Sequence, residues 1–287
     1  MSHVVRAATS ATALAEAAEV AAAALTRDAE AAALVTSLSR PPAGRRWTAL
    51  ATDGGVVMAS LSESHPVNGY IDLLAVHPSA QGQGRGRALV LAAEEWLRGQ
   101  GARQSHFAGN PPCYAWPGID VGYTAAACLA ESLGYERFHV AWNMTADLGA
   151  DLSVEDDVRR LEDSGVRVFE ADGDRGRVAA FIEEHWNDRW AWEATHASGL
   201  HYAERDGKVL GFAAWGARPG WFGPMGTSPD ARGLGVGRVL LRRCLADQRA
   251  AGQASAQIGW VGPLRFYSHA VGARAERVFW LYRRDLA

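Results

Sequence analysis

Two stretches of twelve residues decide the fold: PSAQGQGRGRAL at Pro78–Leu89 and PDARGLGVGRVL at Pro229–Leu240. A shift of the sequence by 151 positions aligns them, and seven of the twelve residue pairs are then identical. The identical positions include the proline, three glycines and the arginine that follows the last glycine. Such a match is typical of an internal repeat. The sequence therefore predicts two copies of one domain of about 140 residues.

The composition fits two soluble domains. The chain has 287 residues, of which 48% are hydrophobic and 21% charged, and this excludes a disordered or fibrous protein. A net charge of −3 does not attract nucleic acid or an anionic membrane to the protein as a whole. Cys113, Cys128 and Cys244 are too scattered for a disulfide framework or a metal site. No stretch has the layout of a signal peptide or a membrane span, so we expect a cytoplasmic protein without a metal, a nucleic-acid partner or a membrane partner.

The repeated stretch lies between a strand and a helix in each copy. Tyr70–Val76 and Trp221–Thr227 have the short apolar pattern of strands, and Arg87–Gln100 and Arg238–Ala250 have the periodicity of helices. A polar, acidic stretch separates the copies at Asp147–Asp163. The sequence therefore predicts an N-terminal domain at 1–148, a linker with one short helix at 149–165, and a C-terminal domain at 166–287.

A glycine-rich turn that begins a helix is a candidate phosphate-binding site. The first amides of a helix have no partner within the helix, and the helix dipole adds positive charge there. Glycines let several amides converge on one anion. Gln81–Gly86 and Arg232–Gly237 are such turns, although glycines placed there only for tight packing are the alternative. Their spacing matches neither the nucleoside-triphosphate loop nor the dinucleotide fingerprint.

Both turns fit the pattern Q/R-x-x-G-x-G/A, and the chain thereby resembles the GNAT N-acetyltransferase superfamily, in which this motif binds the pyrophosphate of acyl-CoA. The resemblance covers most of the chain. It implies an α/β fold of two fused GNAT-like domains, each a mixed, mostly antiparallel sheet with splayed central strands flanked by helices. It also implies acetyl-CoA as the acyl donor. The cofactor-binding residues that it implies are Leu74, Val76, Gln81, Gly82, Gln83, Gly84, Arg85 and Gly86 in the first copy, and Met225, Thr227, Arg232, Gly233, Leu234, Gly235, Val236 and Gly237 in the second.

The resemblance also implies a catalytic tyrosine on the last helix, which protonates the departing thiolate. Tyr267 precedes Val271-Gly272-Ala273 and fits this role, with one residue more than the usual spacing. Leu129 occupies the matching position of the first copy when residues are counted back from Gly134. The second domain is therefore predicted to be the catalytic one, and a core tyrosine without a catalytic role is the alternative.

The general base and the acceptor pocket are less defined by the sequence. Asp72 lies on the strand before the first turn, where its side chain faces either the thioester or solvent. In the second copy Trp186 and Trp190 cluster with Glu184 and Glu193, in the segment that walls the acceptor site of GNAT domains. Tryptophan faces beside carboxylates suit a cationic amine. The alternative is that the two tryptophans form part of the buried face of a helix.

Together these features predict an N-acetyltransferase that moves an acetyl group from acetyl-CoA to the primary amine of a small molecule by direct attack. Two alternatives remain. One is a mycothiol-synthase-like acetyltransferase. The second domain lacks an Asn-x-x-Ala-x-x-Leu-Tyr sequence, and this argues against that alternative. The other is a non-catalytic acyl-CoA-binding sensor or partner module. The first copy also carries a rigid, proline-rich insertion at 110–118, which is expected to cover a site, pack on the other domain or bind a partner.

Overall fold

The computed structural model describes residues 3–111, 113, 115–173 and 175–286, and it divides into two compact units. Unit 1 runs to Ala141 and also takes in the C-terminal segment from Val278, whereas unit 2 is Trp142–Arg277. This division differs from the predicted boundaries at 148 and 165. The reason is pairing between distant strands: the last strand of the chain, Arg274–Asp285, pairs with Gln104–Phe107 and so completes unit 1.

Unit 1 contains a mixed sheet with the strand order β1-β2-β3-β4-β5-β13. Neighbouring strands are antiparallel, except that β4 and β5 are parallel. The strands are β1 (Arg6–Ala7), β2 (Arg45–Thr52), β3 (Gly55–Ser62), β4 (Asn68–Val76), β5 (Gln104–Phe107), β6 (Ile119–Asp120), which pairs with β13, and β13 (Arg274–Asp285). The helices are α1 (Ala11–Ala24), α2 (Ala31–Leu38), α3 (Arg85–Gly99) and α4 (Thr124–Ser132).

Unit 2 repeats this plan, and the predicted duplication is confirmed. Strand β7 (Glu136–Asp147) carries the chain into unit 2, whose strand order is β7-β12-β11-β10-β9-β8. The other strands are β8 (Arg167–Glu170), β9 (Gly199–Arg205), β10 (Lys208–Trp215), β11 (Trp221–Thr227) and β12 (Ser255–Ile258). The helices are α5 (Glu155–Asp163), α6 (Gly176–His185), α7 (Asp188–His196), α8 (Val236–Ala250) and α9 (Leu264–Val271).

Each unit has apolar cores on its sheet. Strand β3 is buried along nearly its whole length, because its neighbours and the flanking helices cover both faces. In unit 2, Leu161 of α5 is buried in the core, so the stretch predicted as a linker forms part of that unit. None of the helices in the described residues has both the length and the apolarity that a membrane span requires.

The central strands of both units splay apart, as predicted. Strands β4 and β5 pair only as far as Tyr70 and His106, although β4 continues to Val76. Strands β11 and β12 pair at Trp221 and Phe222, and β11 then continues beyond the end of β12. Each splay leaves one edge of a strand open immediately before a glycine turn.

Candidate functional site

The glycine turns have the conformation that an anion site requires. Gly84 and Gly235 are the N-cap residues of α3 and α8, with φ of 84° and 91°, in the left-handed region that favours glycine. Gly82 and Gly233 are also left-handed, with φ of 71° and 82°. Within the described residues no side chain caps either helix, so the first-turn amides face outward without a side-chain partner. Both turns can therefore hold a diphosphate.

The third glycine of each turn lies against the last helix of its unit. A Cβ atom on Gly86 would lie 3.0 Å from Leu129 Cδ2, and one on Gly237 would lie 3.4 Å from Phe266 Cζ. By this contact Leu129 corresponds to Phe266, and the following residue, Ala130, corresponds to Tyr267. The match of Leu129 to Tyr267, counted back from Gly134, thus shifts by one residue, and neither Leu129 nor Ala130 is a tyrosine.

Polar side chains of the first turn fold back on the chain that precedes it. Gln81 Nε2 donates a hydrogen bond to the carbonyl of Val76 at 2.9 Å, and Gln83 Nε2 donates to the carbonyl of Ser79 at 3.3 Å. His3 Nε2 lies 2.6 Å from the carbonyl oxygen of Gln83. Polar side chains thus lie on both sides of the backbone amides of the turn.

A cavity of about 410 Å³ opens beside the free edge of β4 in unit 1. It is lined by Gln81, the first residue of the glycine turn, and also by Leu25 and Trp116. The β4 residues that line it are Ile71, Asp72, Leu73, Leu74 and Ala75. The predicted cofactor residues Leu74 and Gln81 therefore lie in one cleft, which extends from a phosphate-type turn into an apolar interior.

Asp72 occupies a β-bulge inside this cleft. Leu73 pairs with Met58 and Ile71 pairs with Ala59, so Asp72 is the extra residue of β4. Its Oδ2 accepts a hydrogen bond from Ser60 Oγ at 2.6 Å, and its Oδ1 accepts one from Asn110 Nδ2 at 2.8 Å. Burial raises the pKa of Asp72 to about 6, although these hydrogen bonds oppose the rise. The bulge thus turns the carboxyl into the cleft and holds it there.

Two anchored aromatic residues, Trp116 and Tyr123, form part of the cavity wall. Trp116 Nε1 donates to Asp28 Oδ1 and the Tyr123 hydroxyl donates to Asp28 Oδ2, both at 2.8 Å. Asp120 also lines the cavity and forms an ion pair with Arg27, with Nε and Oδ2 3.3 Å apart. Because Asp28 is buried, the two rings are held in one orientation.

Unit 2 differs at the position that corresponds to Asp72. The shift of 151 residues places Gly223 there, and Pro224 follows, so β11 carries no carboxylate and lacks one N–H. Tyr267 is 8% exposed and contacts the ring of Phe222 edge-on, with the ring centroids 6.3 Å apart. Its hydroxyl has no hydrogen-bond partner among the described residues, and burial raises its pKa to about 12.

The other predicted cofactor residues of unit 2 lie around its turn. Met225 lies near Gly237, at 3.6 Å from the position of an added Cβ, and Thr227 pairs with Gly211 of β10. Arg232 and Leu234 are exposed, whereas Val236 is buried at the start of α8. The turn is therefore open to solvent, as it is in unit 1.

The tryptophan cluster predicted to bind the acceptor is partly buried and packs against an apolar core of unit 2. Trp186 and Trp190 stack with their centroids 6.0 Å apart, and both contact the ring of Phe212 edge-on. Helix α6 ends at His185 and the Asn187 side chain caps α7, so the two tryptophans belong to different elements and not to one helical stripe.

The two glutamates predicted beside these tryptophans have different environments. Glu184 is exposed, whereas Glu193 is half-buried and burial raises its pKa to about 7. The structure thus brings the two tryptophans together but leaves Glu184 on the surface.

Several residues of the unit 1 cleft escape analysis of the sequence alone. Asn110 and Trp116 lie in the insertion, whose Pro112 and Tyr114 fall outside the described residues. Asp28 lies between α1 and α2, 88 positions from the indole that it binds. The proline-rich composition of the insertion was the only available signal. Among the described residues, no three metal-ligating side chains are grouped so as to hold a metal ion.

Comparison with known proteins shows a family. The model of the Acetyltransferase (GNAT) family matches residues 11–113 and again residues 166–270. A mycothiol acetyltransferase of Thermomonospora curvata is 30% identical over 221 residues, which are 69% of this chain and 68% of that protein. One of Geodermatophilus obscurus is 30% identical over 237 residues, 74% of this chain and 72% of that protein.

Solved structures share the fold at low identity. A tandem GNAT protein from the clavulanic acid biosynthesis pathway superposes with a TM-score of 0.73 at 17% identity, and the match covers 99% of this chain and 98% of that one. A glucosamine N-acetyltransferase region of a fungal multi-domain β-N-acetylglucosaminidase gives 0.77 at 19% identity, over 98% of this chain and 38% of that one. These two matches show the fold alone.

Proposed function

The chain belongs to the GNAT acetyltransferase family and carries the domain twice, and from this we propose that it transfers the acetyl group of acetyl-CoA to a small primary amine in the cleft of unit 1. One observation, more than any other, favours unit 1 over unit 2. Asp72 lies on the open edge of β4, inside a cavity that reaches the first glycine turn. The glycine turn, an open strand edge and a carboxyl whose pKa burial raises to about 6 thus share one cleft.

The donor occupies the end of the cleft near the turn. Its diphosphate accepts hydrogen bonds from the amides of Gln83–Gly86, where the helix dipole favours negative charge. Its pantetheine arm lies along the open edge of β4, beside Leu74. The thioester then reaches the bulge at Asp72.

The acceptor needs a base because an alkylammonium cannot attack. With a pKa of about 10.4, about one part in two thousand of such an amine is neutral at pH 7. In the proposed reaction Asp72 takes a proton from the ammonium, and the nitrogen then forms a bond to the acetyl carbon. The carbon–sulfur bond breaks, and the departing thiolate takes up the second proton that the nitrogen loses as the amide forms, so that it leaves as the thiol. A carboxyl with a pKa of about 6 is mostly ionised at pH 7, and it accepts the proton because the apolar cleft lowers the pKa of the bound ammonium from its value in water.

The part of the cavity that the donor leaves free binds the acceptor. The cavity walls include Leu25, Trp116, Tyr123 and Asp120. A cavity of about 410 Å³, shared with the pantetheine arm, has room for a small molecule and not for a folded protein segment. Aromatic rings beside carboxylates attract a cationic amine.

A second candidate acceptor is the amine that the relatives' name indicates. The two relatives at 30% identity are named mycothiol acetyltransferases, and each match covers about 70% of this chain. This favours the acceptor amine of mycothiol synthesis over other polar amines in a first test. The role of Tyr267 as an acid in unit 2 stays a prediction.

Matched valine substitutions test which turn holds the donor. Gly84→Val and Gly235→Val change equivalent N-cap glycines with nearly the same φ, so their backbone strain is similar. We expect isothermal titration to show at least a 10-fold weaker affinity for acetyl-CoA in Gly84→Val, together with loss of thiol release on a panel of primary amines. If only Gly235→Val loses that activity, transfer belongs to unit 2. If the wild type acetylates no amine, the proposal is wrong.

A further inference from the structure

In the insertion of unit 1, the buried side chain of Asn110 contacts Asp72, the proposed base. Asn110 is 4% exposed. Its Nδ2 donates to Asp72 Oδ1 at 2.8 Å and to Ser60 Oγ at 2.9 Å. Ser60 Oγ in turn donates to Asp72 Oδ2 at 2.6 Å. Both carboxylate oxygens are thus fixed from one side, and their remaining lone pairs are left for a proton from the acceptor.

The other side of the same amide binds a cation. Arg45 Nη2, from β2, donates to Asn110 Oδ1. Asn110 therefore stands between a guanidinium and the carboxylate of Asp72. An amide suits this place because it accepts from the cation and donates to the anion at the same time.

We propose that Asn110 is a positioning residue for acetyl transfer: it aims the carboxylate of Asp72 and keeps the guanidinium of Arg45 one side chain away from it. The inference rests on the proposed function. It assigns a role to the insertion, whose expected roles were a lid, a packing surface or a partner site. Here the insertion supplies the side chain that prepares the base.

The separation matters because a direct ion pair would weaken the base. An arginine in contact with an aspartate lowers the pKa of the carboxyl by about 1–3 units. With the amide between them, Arg45 has a smaller effect on the pKa of Asp72 than the two hydrogen bonds have. Burial has the largest effect. Cys113 also interacts with Asp72, and burial raises the pKa of its thiol to about 11, so it stays neutral, while Asp120 and Tyr123 line the same cavity.

An exchange of amide for carboxylate at this position tests the role. In Asn110→Asp the introduced carboxylate pairs with Arg45 and no longer donates to Asp72. Both changes raise the pKa of Asp72, so the acid limb of kcat/KM for the amine should move up by about one pH unit. At pH 5 this is about a 10-fold loss, whereas the plateau at higher pH changes little. Ser60→Ala removes the other hydrogen bond and should move the limb in the same direction.

The control is Asn68→Asp, which makes the same exchange at an exposed position of β4. In this variant the acid limb of the kcat/KM profile should lie at the same pH as in the wild type. Acetyl-CoA affinity by isothermal titration shows that each variant folds, and a variant that binds acetyl-CoA like the wild type but keeps the wild-type limb overturns the role of Asn110. A loss of equal size at every pH, with the limb unmoved, also overturns it. If Asp72→Asn itself leaves the profile unchanged, the proposed function fails instead.

Discussion

Asp72→Asn separates catalysis in unit 1 from catalysis elsewhere. Asparagine has nearly the shape of aspartate and removes only the basic oxygen. At pH 7 the wild-type carboxyl, with a pKa of about 6, is mostly ionised and takes the proton of the bound ammonium. The variant must instead capture the neutral amine, which is about one part in two thousand. Because a positioned general base contributes about 10²- to 10⁴-fold, we predict a loss of kcat/KM of about 10³-fold at pH 7, or about 4 kcal/mol.

The pH dependence makes this prediction specific. For the wild type, kcat/KM should rise up to about pH 6 and then stay level until the amine itself loses its proton. For Asp72→Asn it should rise about 10-fold per pH unit toward the pKa of the amine, about 10.4 for an alkylamine. The two enzymes should therefore differ about 10³-fold at pH 7 and by only a small factor near pH 10.

The assay is thiol release from acetyl-CoA between pH 5.5 and 10, with an alkylamine that the wild type accepts. Asp163→Asn, at the exposed end of α5, is the control for loss of a carboxylate and should keep the wild-type profile. A profile of Asp72→Asn that overlays the wild type would refute the reasoning, because Asp72 would then not be the base.

Three further predictions follow from the same contacts. Tyr267→Phe should lower turnover by less than about 10-fold, because a hydroxyl with a pKa of about 12 is a much weaker acid than the thiol it would protonate. A loss of about 10²-fold or more in the same assay would place transfer in unit 2. Trp116→Phe should raise the KM for the amine about 3- to 10-fold and leave the KM for acetyl-CoA unchanged, since it removes the hydrogen bond to Asp28 that fixes the ring. A rise in both constants would contradict an acceptor wall. Glu193→Gln should stabilise the protein by about 1–2 kcal/mol at pH 8.5 and not at pH 4. Because burial raises the pKa of Glu193 to about 7, its charged form destabilises the folded state as the pH rises from about 4.5 through 7. Thermal unfolding at both pH values checks this, and equal midpoints for variant and wild type at pH 8.5 would contradict it.

The sequence was most informative where local chemistry decides the structure. The two glycine-rich turns were predicted to begin helices, and Gly84 and Gly235 are the N-cap residues of α3 and α8. The shift of 151 residues predicted two equivalent sheets, and the splay of their central strands follows from the family resemblance. These features depend on residues close together in the chain.

The sequence was least informative where contacts between distant residues decide. The last strand, β13, pairs with β5 of the first half of the chain, and nothing in the sequence near either strand indicates that pairing. The direction of Asp72 depends on a bulge that strict alternation along β4 does not locate. Asn110 lies 38 positions from Asp72, and nothing in a proline-rich loop marks one amide as its partner.

A crystal structure with bound CoA tests the central claim most directly. We predict that the diphosphate lies on the amides of Gln83–Gly86 and that the sulfur lies beside Asp72, within the cavity along β4. CoA bound only at Arg232–Gly237, with the cleft beside β4 empty, would contradict the account.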